Sequence, residues 1–131
     1  RTMALDSTKV LVVEDDAVMT SFVLKTLARL SIENVEVCVD GTSALKLVNT
    51  FQPDVILTDV HMKPVNGIEF IQNLRGHANA KLRTTPVIFM SADSSRETLG
   101  NTMAVDSVAY IVKPPRLETL RAKLEQALQG R

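Results

Sequence analysis

Five short apolar runs alternate with longer amphipathic stretches along the chain. The runs are Lys9 to Val13, Val35 to Val39, Val55 to Thr58, Pro86 to Met90 and Val108 to Val112. Each is too short for a typical helix and rich in β-branched residues, which favours a buried strand. The sequence therefore predicts five strands with both faces covered.

The stretches between and after these strands carry apolar residues at helical spacing. They cover residues 17–30, 43–51, 68–74, 94–103 and 117–128, and the fourth has the weakest apolar pattern. Residues 76–85 are polar and predict a loop. Alternating strands and helices are typical of a parallel sheet between two helical layers. We expect an α/β, flavodoxin-like, doubly wound five-stranded parallel sheet in the order 2-1-3-4-5.

Composition agrees with a single globular domain. Of the 131 residues, 45% are apolar and 23% charged, and fifteen basic residues balance fifteen acidic ones. Zero net charge argues against a general nucleic-acid binder. No apolar stretch approaches membrane-spanning length, no signal peptide is visible, and the single cysteine, Cys38, fits a reducing, cytoplasmic compartment. We expect one domain over residues 9–129, with residues 1–8 as an N-terminal tail or an expression remnant.

Polar and charged side chains follow the predicted strands at their carboxyl ends. They are Glu14 and Asp15 after the first strand, Asp59 after the third, Ser91 after the fourth and Lys113 after the fifth. Parallel strands bring these ends to one edge of the sheet, where such folds bind ligands. Converging carboxylates repel one another unless a hard cation binds between them, and oxygen ligands favour magnesium, manganese or calcium. A cation and Lys113 would hold a phosphoryl group, which leaves Asp59 as a candidate nucleophile.

Each of these residues alone has a plainer explanation. Ser91 or Lys113 alone would most often be an ordinary loop residue, and Asp59 alone could cap a helix or sit in a turn. Their joint placement, each at the end of a different strand, is what favours a function. The two histidines, His61 and His77, are far apart in loop-like segments with no cysteine pair nearby, so no zinc site is expected.

Four motifs together resemble the CheY-like receiver domain of bacterial two-component response regulators. They are Val12-Val13-Glu14-Asp15, Asp59 with Met62 and Gly67, Ser91-Ala92, and Tyr110-Ile111-Val112-Lys113-Pro114. The resemblance covers about residues 9–129, nearly the whole chain. It implies a signalling switch and not an enzyme in the usual sense, since a receiver assists only its own phosphorylation and dephosphorylation.

The resemblance implies a role for each acidic residue of the site. Asp59 is the phospho-acceptor. Mg²⁺ is held directly by Asp15, by Asp59 and by the backbone carbonyl of His61, while Glu14 holds the metal through water. The residues two beyond the acceptor and two beyond the switch hydroxyl, His61 and Asp93, flank the path of the water that removes the phosphoryl group.

The resemblance also implies how the signal arrives and leaves. A sensor histidine kinase or a phosphotransfer protein donates the phosphoryl group, Ser91 is the switch hydroxyl that bonds it, and Lys113 pairs with it. Tyr110 is the switch aromatic, which we expect to turn inward upon phosphorylation. The fourth predicted helix, the fifth strand and the last helix, roughly residues 94–129, form the face for a downstream effector. Direct nucleic-acid or membrane binding is not expected, and homodimerisation stays open.

Three positions depart from the family pattern. Lys63 stands where the family usually has proline, with Pro64 one residue later, so the loop before the third helix is expected to follow a different path. Asp106 replaces the usual glycine before the fifth strand, and aspartate tolerates left-handed backbone better than most residues. Pro115 replaces a frequent aromatic. The Lys113–Pro114 peptide bond is expected to be cis, as is usual in the family.

Two alternatives from other classes remain open at this point. One is a haloacid-dehalogenase-like hydrolase or phosphatase, which usually carries a second acid two residues after the nucleophile, where this chain has His61. The other is a pseudo-receiver, a binding module that ignores phosphate and usually lacks one of the acids or the lysine. No such residue is missing here. A nucleotide-binding fold is disfavoured because no glycine-rich phosphate loop follows the first strand.

Overall fold

The structure, a computed structural model, describes residues 4–93 and 95–129. The five predicted strands are present, and their ends differ from the prediction by no more than one residue. They are β1 (Val10–Val13), β2 (Val35–Cys38), β3 (Val55–Asp59), β4 (Val87–Ser91) and β5 (Ala109–Val112).

The strands form one parallel sheet in the order β2-β1-β3-β4-β5, which confirms the predicted topology. The register aligns Val13 with Thr58 across β1 and β3, and Ser91 with Val112 across β4 and β5. Because the strands are parallel and nearly in register, their carboxyl ends meet at one edge of the sheet. The candidate site residues all lie at or just beyond that edge.

Within residues 4–93 and 95–129, six α-helices connect or follow the strands. They are α1 (Ala17–Arg29), α2 (Gly41–Phe51), α3 (Gly67–Arg75), α4 (Ala80–Arg83), α5 (Arg96–Ala104) and α6 (Leu117–Ala127). Side chains cap the N-termini of several helices. Asp16 accepts a hydrogen bond from the Met19 amide at the start of α1, and Asn66 and Glu69 form a reciprocal capping box at α3.

The helices divide into two layers that enclose separate apolar clusters. On one face of the sheet, α1 and α6 pack on the strands with buried residues such as Leu27 and Leu124. On the other face, α2, α3 and α4 contribute residues such as Val48, Phe70 and Leu82. The strands are covered on both sides, which is why their sequences are apolar throughout and do not alternate.

The prediction of a loop over residues 76–85 is wrong in part, because α4 lies within it. Asn79 caps this single turn by accepting hydrogen bonds from the Lys81 and Leu82 amides, and Leu82 is buried. One turn is too short to show a helical period in the sequence. The predicted start of the fourth helix, Ser94, lies outside the described residues, and α5 begins at Arg96.

The chain before β1 packs on the domain more closely than a free tail would. Residues 1–3 lie outside the described residues. Leu5–Ser7 form a 3₁₀ turn, Leu5 packs against the α1 and α6 cluster, and Thr8 is fully buried. Packing therefore extends to the N-terminal side of the boundary expected at residue 9.

The backbone agrees with two expectations at the departing positions. Asp106 has φ 59°, the left-handed conformation that a glycine usually supplies, and the Lys113–Pro114 peptide bond is cis. The Lys63–Pro64 bond is also cis, and the next carbonyl, that of Val65, accepts a hydrogen bond of 3.1 Å from the Gly41 amide. Across the described residues, no helix combines the length and the apolar character that crossing a bilayer requires.

Candidate functional site

Three carboxylates meet at the carboxyl edge of the sheet. Glu14 and Asp15 follow β1, and Asp59 is the last residue of β3. One carboxylate oxygen from each residue lies within 4.8 Å of the other two. Glu14 and Asp59 are 1% and 6% exposed, whereas Asp15 is exposed to solvent. The cluster therefore has two desolvated acids and one open side.

Lys113 lies against the two buried acids. Its Nζ is 2.5 Å from Oε1 of Glu14 and 3.2 Å from Oδ2 of Asp59. Burial alone would lower the pKa of Lys113, but the two carboxylates outweigh it and raise this pKa, so the ammonium stays charged. Burial raises the pKa of Glu14, although the contact with Lys113 works in the opposite direction.

The donor set fits a hard divalent cation. Both oxygens of Glu14 are already engaged, Oε1 by Lys113 and Oε2 by the Asp16 amide at 3.1 Å. The oxygens of Asp59 also have contacts, Oδ2 with Lys113 and Oδ1 with the His61 amide. Asp15 is exposed, so it is the carboxylate that can turn most freely toward a cation beside Asp59. Three acids facing one ammonium leave an excess of negative charge, and oxygen ligands suit Mg²⁺ better than zinc.

Local contacts fix the backbone of Asp59. The Thr58 hydroxyl donates a buried hydrogen bond of 3.0 Å to the Asp59 carbonyl. A methyl group at Gly67 would lie only 2.0 Å from that carbonyl oxygen, so the first residue of α3 has to be glycine. The Gly67 amide also donates to the Val60 carbonyl at 2.9 Å. The loop after Asp59 thus returns directly onto the strand end.

Ser91 and Asp93 form the next part of the site. Ser91 ends β4, is 2% exposed, and accepts a hydrogen bond of 3.0 Å from the Asp93 amide through its Oγ. The Asp93 carboxylate accepts from the Thr98 hydroxyl at 2.7 Å and from the Ser95 amide at 2.9 Å. These bonds, and a further one from His61, lower the pKa of Asp93, so the carboxylate is ionised near neutral pH.

The His61 ring connects two loops of the site. Its Nε2 lies 3.1 Å from Oδ2 of Asp93, and because that carboxylate is ionised, the ring nitrogen donates the hydrogen bond. The His61 backbone amide donates to Oδ1 of Asp59 at 3.3 Å. The loop after β3 is therefore joined to the loop after β4 beside the phospho-acceptor candidate.

Tyr110 takes a different position from the one expected before modification. The sequence predicts that phosphorylation of Asp59 shifts this ring inward. In the structure, the ring already packs against the cluster beneath α2 and α3, and its hydroxyl is buried without a hydrogen-bond partner among the described residues. The movement of this ring upon phosphorylation stays a prediction.

The structure brings Glu14, Asp15, Asp59 and Lys113 together as one charged cluster. Sequence reasoning did not find the bond between His61 and Asp93, because no periodicity reports the distance between two loops. The cap of α5 had a readable signal, since Ser95 and Asp93 are residue types that begin helices. The catalytic, metal-binding and switch roles of the individual residues stay predictions.

Comparison with known proteins agrees with the resemblance that the sequence motifs show. The family model described as "Response regulator receiver domain" matches residues 10–125. The chemotaxis protein CheY-3 of Vibrio cholerae is 31% identical over 121 residues, covering 92% of this chain and 92% of that protein. The solved structure of Vibrio cholerae CheY4 is 32% identical with a TM-score of 0.80, covering 92% of this chain and 98% of that one.

A further solved structure shares the fold. The receiver domain of sensor histidine kinase PA1611 from Pseudomonas aeruginosa has a TM-score of 0.84 at 23% identity, covering 94% of this chain and 98% of that one. That structure holds a magnesium ion in its active site cleft.

The ion pair between Lys113 and Glu14 leads to a stability prediction. We expect Lys113→Met to lower the free energy of unfolding by about 3 kcal/mol at pH 7 without divalent cations, because it leaves a buried carboxylate unpaired. In a Glu14→Gln background, the same change should cost less, because only Asp59 then loses the ammonium. Urea denaturation of the four proteins gives both values.

A matched control is Lys25→Met, which removes an exposed lysine from α1 and should change stability by less than about 0.5 kcal/mol. Equal losses from Lys113→Met in the two backgrounds would show that Glu14 does not depend on Lys113.

Proposed function

The chain belongs to the receiver domains of two-component response regulators, and we propose that Asp59 is the residue on which it is phosphorylated. Receiver domains interact with histidine kinases or phosphotransfer proteins and act as signalling switches. The observation that carries the proposal is the position of Asp59, a nearly buried carboxylate 3.2 Å from Lys113 and beside two further acids. The family match over residues 10–125 disfavours the hydrolase alternative.

The reaction that this site supports is phosphoryl transfer to a carboxylate. An oxygen of Asp59 forms a bond to phosphorus while the phosphorus–nitrogen bond of a phosphohistidine breaks, and the leaving imidazole keeps the electron pair. Lys113 neutralises charge on the phosphoryl oxygens. Ser91 can turn its hydroxyl to donate its proton to one of them, which would move its Oγ away from the Asp93 amide that it now accepts from. We infer that the chain assists only this reaction and the later hydrolysis of the phosphoaspartate, in which water attacks phosphorus and Asp59 leaves as a carboxylate.

Mg²⁺ is the proposed cofactor, with Asp15 and Asp59 as its carboxylate ligands and the His61 carbonyl as a third. The ion would neutralise negative charge on the transferring group. Support comes from the engagement of both Glu14 oxygens, which leaves Glu14 to act on the metal only through water. The magnesium ion in the cleft of the PA1611 receiver domain supports the same choice of metal.

The bond between His61 and Asp93 suits a role in the lifetime of the phosphorylated state. It joins the two loops that flank Asp59 and Ser91, and it holds the imidazole beside the acceptor. Water has to pass this ring to reach a phosphoryl group from that side. We propose that the pair slows hydrolysis by obstructing the attacking water.

The proposed output face consists of α5, β5 and α6. Its nearest link to the site is Asp93, which contacts both Ser91 and the first turn of α5. Met103 of α5 is 76% exposed, which gives the face an apolar position for a downstream effector. A change at Ser91 would reach this face through Asp93.

The prediction for the phospho-acceptor concerns its labelling by a phosphodonor. A small phosphodonor such as acetyl phosphate, with Mg²⁺, is expected to add one phosphoryl group to the parent, measured by intact mass. Asp59→Asn should abolish the addition, because the amide keeps the shape but is not a nucleophile. Asp54→Asn is the matched control: Asp54 lies at the opposite end of β3, and an amide oxygen can still accept from the Lys9 amide as Asp54 Oδ2 does at 2.8 Å. Full labelling of Asp59→Asn would refute the assignment, and so would an unlabelled parent.

The metal prediction compares the two adjacent acids. Asp15→Ala should weaken Mg²⁺ binding by about tenfold or more, whereas Glu14→Ala should weaken it less, because Glu14 is engaged by Lys113 and a backbone amide. Isothermal titration calorimetry with MgCl₂ measures both. The reverse order would show that Glu14 is the direct ligand.

For the lifetime, His61→Ala is expected to speed the loss of the phosphoryl group severalfold without preventing phosphorylation, because it removes the ring beside Asp59. Asp93→Ala should act in the same direction, since it releases the ring. The double variant should decay no faster than His61→Ala if the two act as one unit. Half-lives by mass spectrometry test this, and unchanged half-lives in both single variants would contradict it.

A further inference from the structure

Helix α5 lacks the apolar attachment that the longer helices have. Within the described part of the chain, none of its residues belongs to either core cluster. Its only buried positions are two threonines, Thr98 and Thr102. Gly100 stands in mid-helix with open space around it, which weakens the helix further. Apart from burial of Val105, which directly follows the helix, polar contacts must therefore hold α5 in place.

The N-terminal end of α5 is held by polar contacts that lead to the site. The Thr98 hydroxyl donates to Asp93 at 2.7 Å, and the Thr98 amide donates to the Ser95 hydroxyl oxygen at 3.2 Å. Asp93 in turn contacts Ser91 through its amide and His61 through its carboxylate. This end of the helix therefore depends on groups that a phosphoryl group at Asp59 would rearrange.

The C-terminal end of α5 is held by burial of Val105, the residue that directly follows the helix, and by a side chain from α3. The guanidinium of Arg75 donates to the Val105 carbonyl at 3.0 Å and to the Asp106 carbonyl at 2.9 Å. It also donates to the carbonyls of Thr85 at 2.7 Å and Arg83 at 3.1 Å. Four carbonyls from two chain segments thus share one planar cation, which only arginine can supply.

This attachment lies away from the site. Thr85 precedes β4 and Asp106 precedes β5, so Arg75 binds at the amino edge of the sheet, opposite Asp59. Burial lowers the pKa of Arg75, yet a guanidinium stays protonated at any physiological pH. The contacts of Arg75 are therefore insensitive to a charge added at the carboxyl edge.

We propose that Arg75 is a positioning residue that anchors the C-terminal end of α5, so that modification of Asp59 releases only the N-terminal end. The helix then swings about Val105 and Asp106. When Ser91 turns to a phosphoryl oxygen, the Asp93 amide loses its acceptor. Asp93 is then positioned less firmly, so the hydrogen bond from Thr98 to its carboxylate weakens, while the bonds of Arg75 remain. This mechanism rests on the proposed phosphorylation of Asp59, but the anchor itself exists without it.

The test is amide hydrogen exchange by NMR, with and without beryllofluoride and Mg²⁺, which together mimic the phosphorylated state. In the parent, beryllofluoride should make amide exchange at Thr98 and Leu99 faster by about tenfold or more. Exchange at Ala104 and Asp106 should stay within about twofold of its rate without beryllofluoride. This comparison needs no variant. An equal change at both ends would overturn the pivot.

Arg75→Lys tests the anchor in the unmodified protein. A lysine keeps the charge but cannot bind four carbonyls, so exchange at Ala104 and Asp106 should become about tenfold faster. With beryllofluoride, the change should then spread along the whole of α5. The matched control is Arg83→Lys, since Arg83 donates to the carbonyls of His77 and Ala78 and not to the end of α5.

Unchanged exchange at Ala104 and Asp106 in Arg75→Lys would overturn the anchor. Failure of the proposed function gives a different result, because acetyl phosphate would then leave the parent unlabelled while Arg75→Lys would still loosen the C-terminal end of α5.

Discussion

The site depends on a single ammonium group shared by two buried carboxylates. Glu14 directly follows β1 and Asp59 ends the neighbouring β3, so the parallel register brings two acids together where little water can screen them. Lys113 reaches them from the end of β5, across the end of β4, and ties three strands at their carboxyl ends. A group added to Asp59 must share or displace this ammonium. The charge balance of the whole edge therefore changes with one modification.

Backbone geometry positions Asp59 and the loop after it with the accuracy that this chemistry needs. Gly67 lets α3 begin in contact with the Asp59 carbonyl, and the Asn66 capping box fixes where that helix starts. The loop between Asp59 and α3 consequently has little conformational freedom, even though Lys63 and Pro64 depart from the family pattern. Its side chains, His61 above all, are presented to the loop after β4 and not to bulk solvent alone.

Most of the fold could be predicted because apolar runs and breaker residues define strands, and parallel strands admit few orders. The positions of Glu14, Asp59, Ser91 and Lys113 followed, since each ends a strand. The orientation of Tyr110 and the four bonds of Arg75 could not be predicted. They depend on rotamers and on loops roughly thirty residues apart in sequence, such as those of Arg75 and Asp106. No hydrophobic period reports such distances.

The weak apolar pattern of α5 has a physical meaning once the two helical layers are compared. Burying one leucine stabilises a fold by about 1.5–3 kcal/mol, and α1, α3 and α6 each bury at least one. A phosphoryl group forms one to three new charge-assisted hydrogen bonds, whereas moving such a helix exposes two or more buried apolar side chains. A net hydrogen bond to a charged group is worth about 1.5–3 kcal/mol. Helix α5, with threonines at its buried positions, is therefore held by interactions of the same size as those a phosphoryl group can form. The proposed phosphorylation would therefore move α5 more easily than the helices with buried leucines.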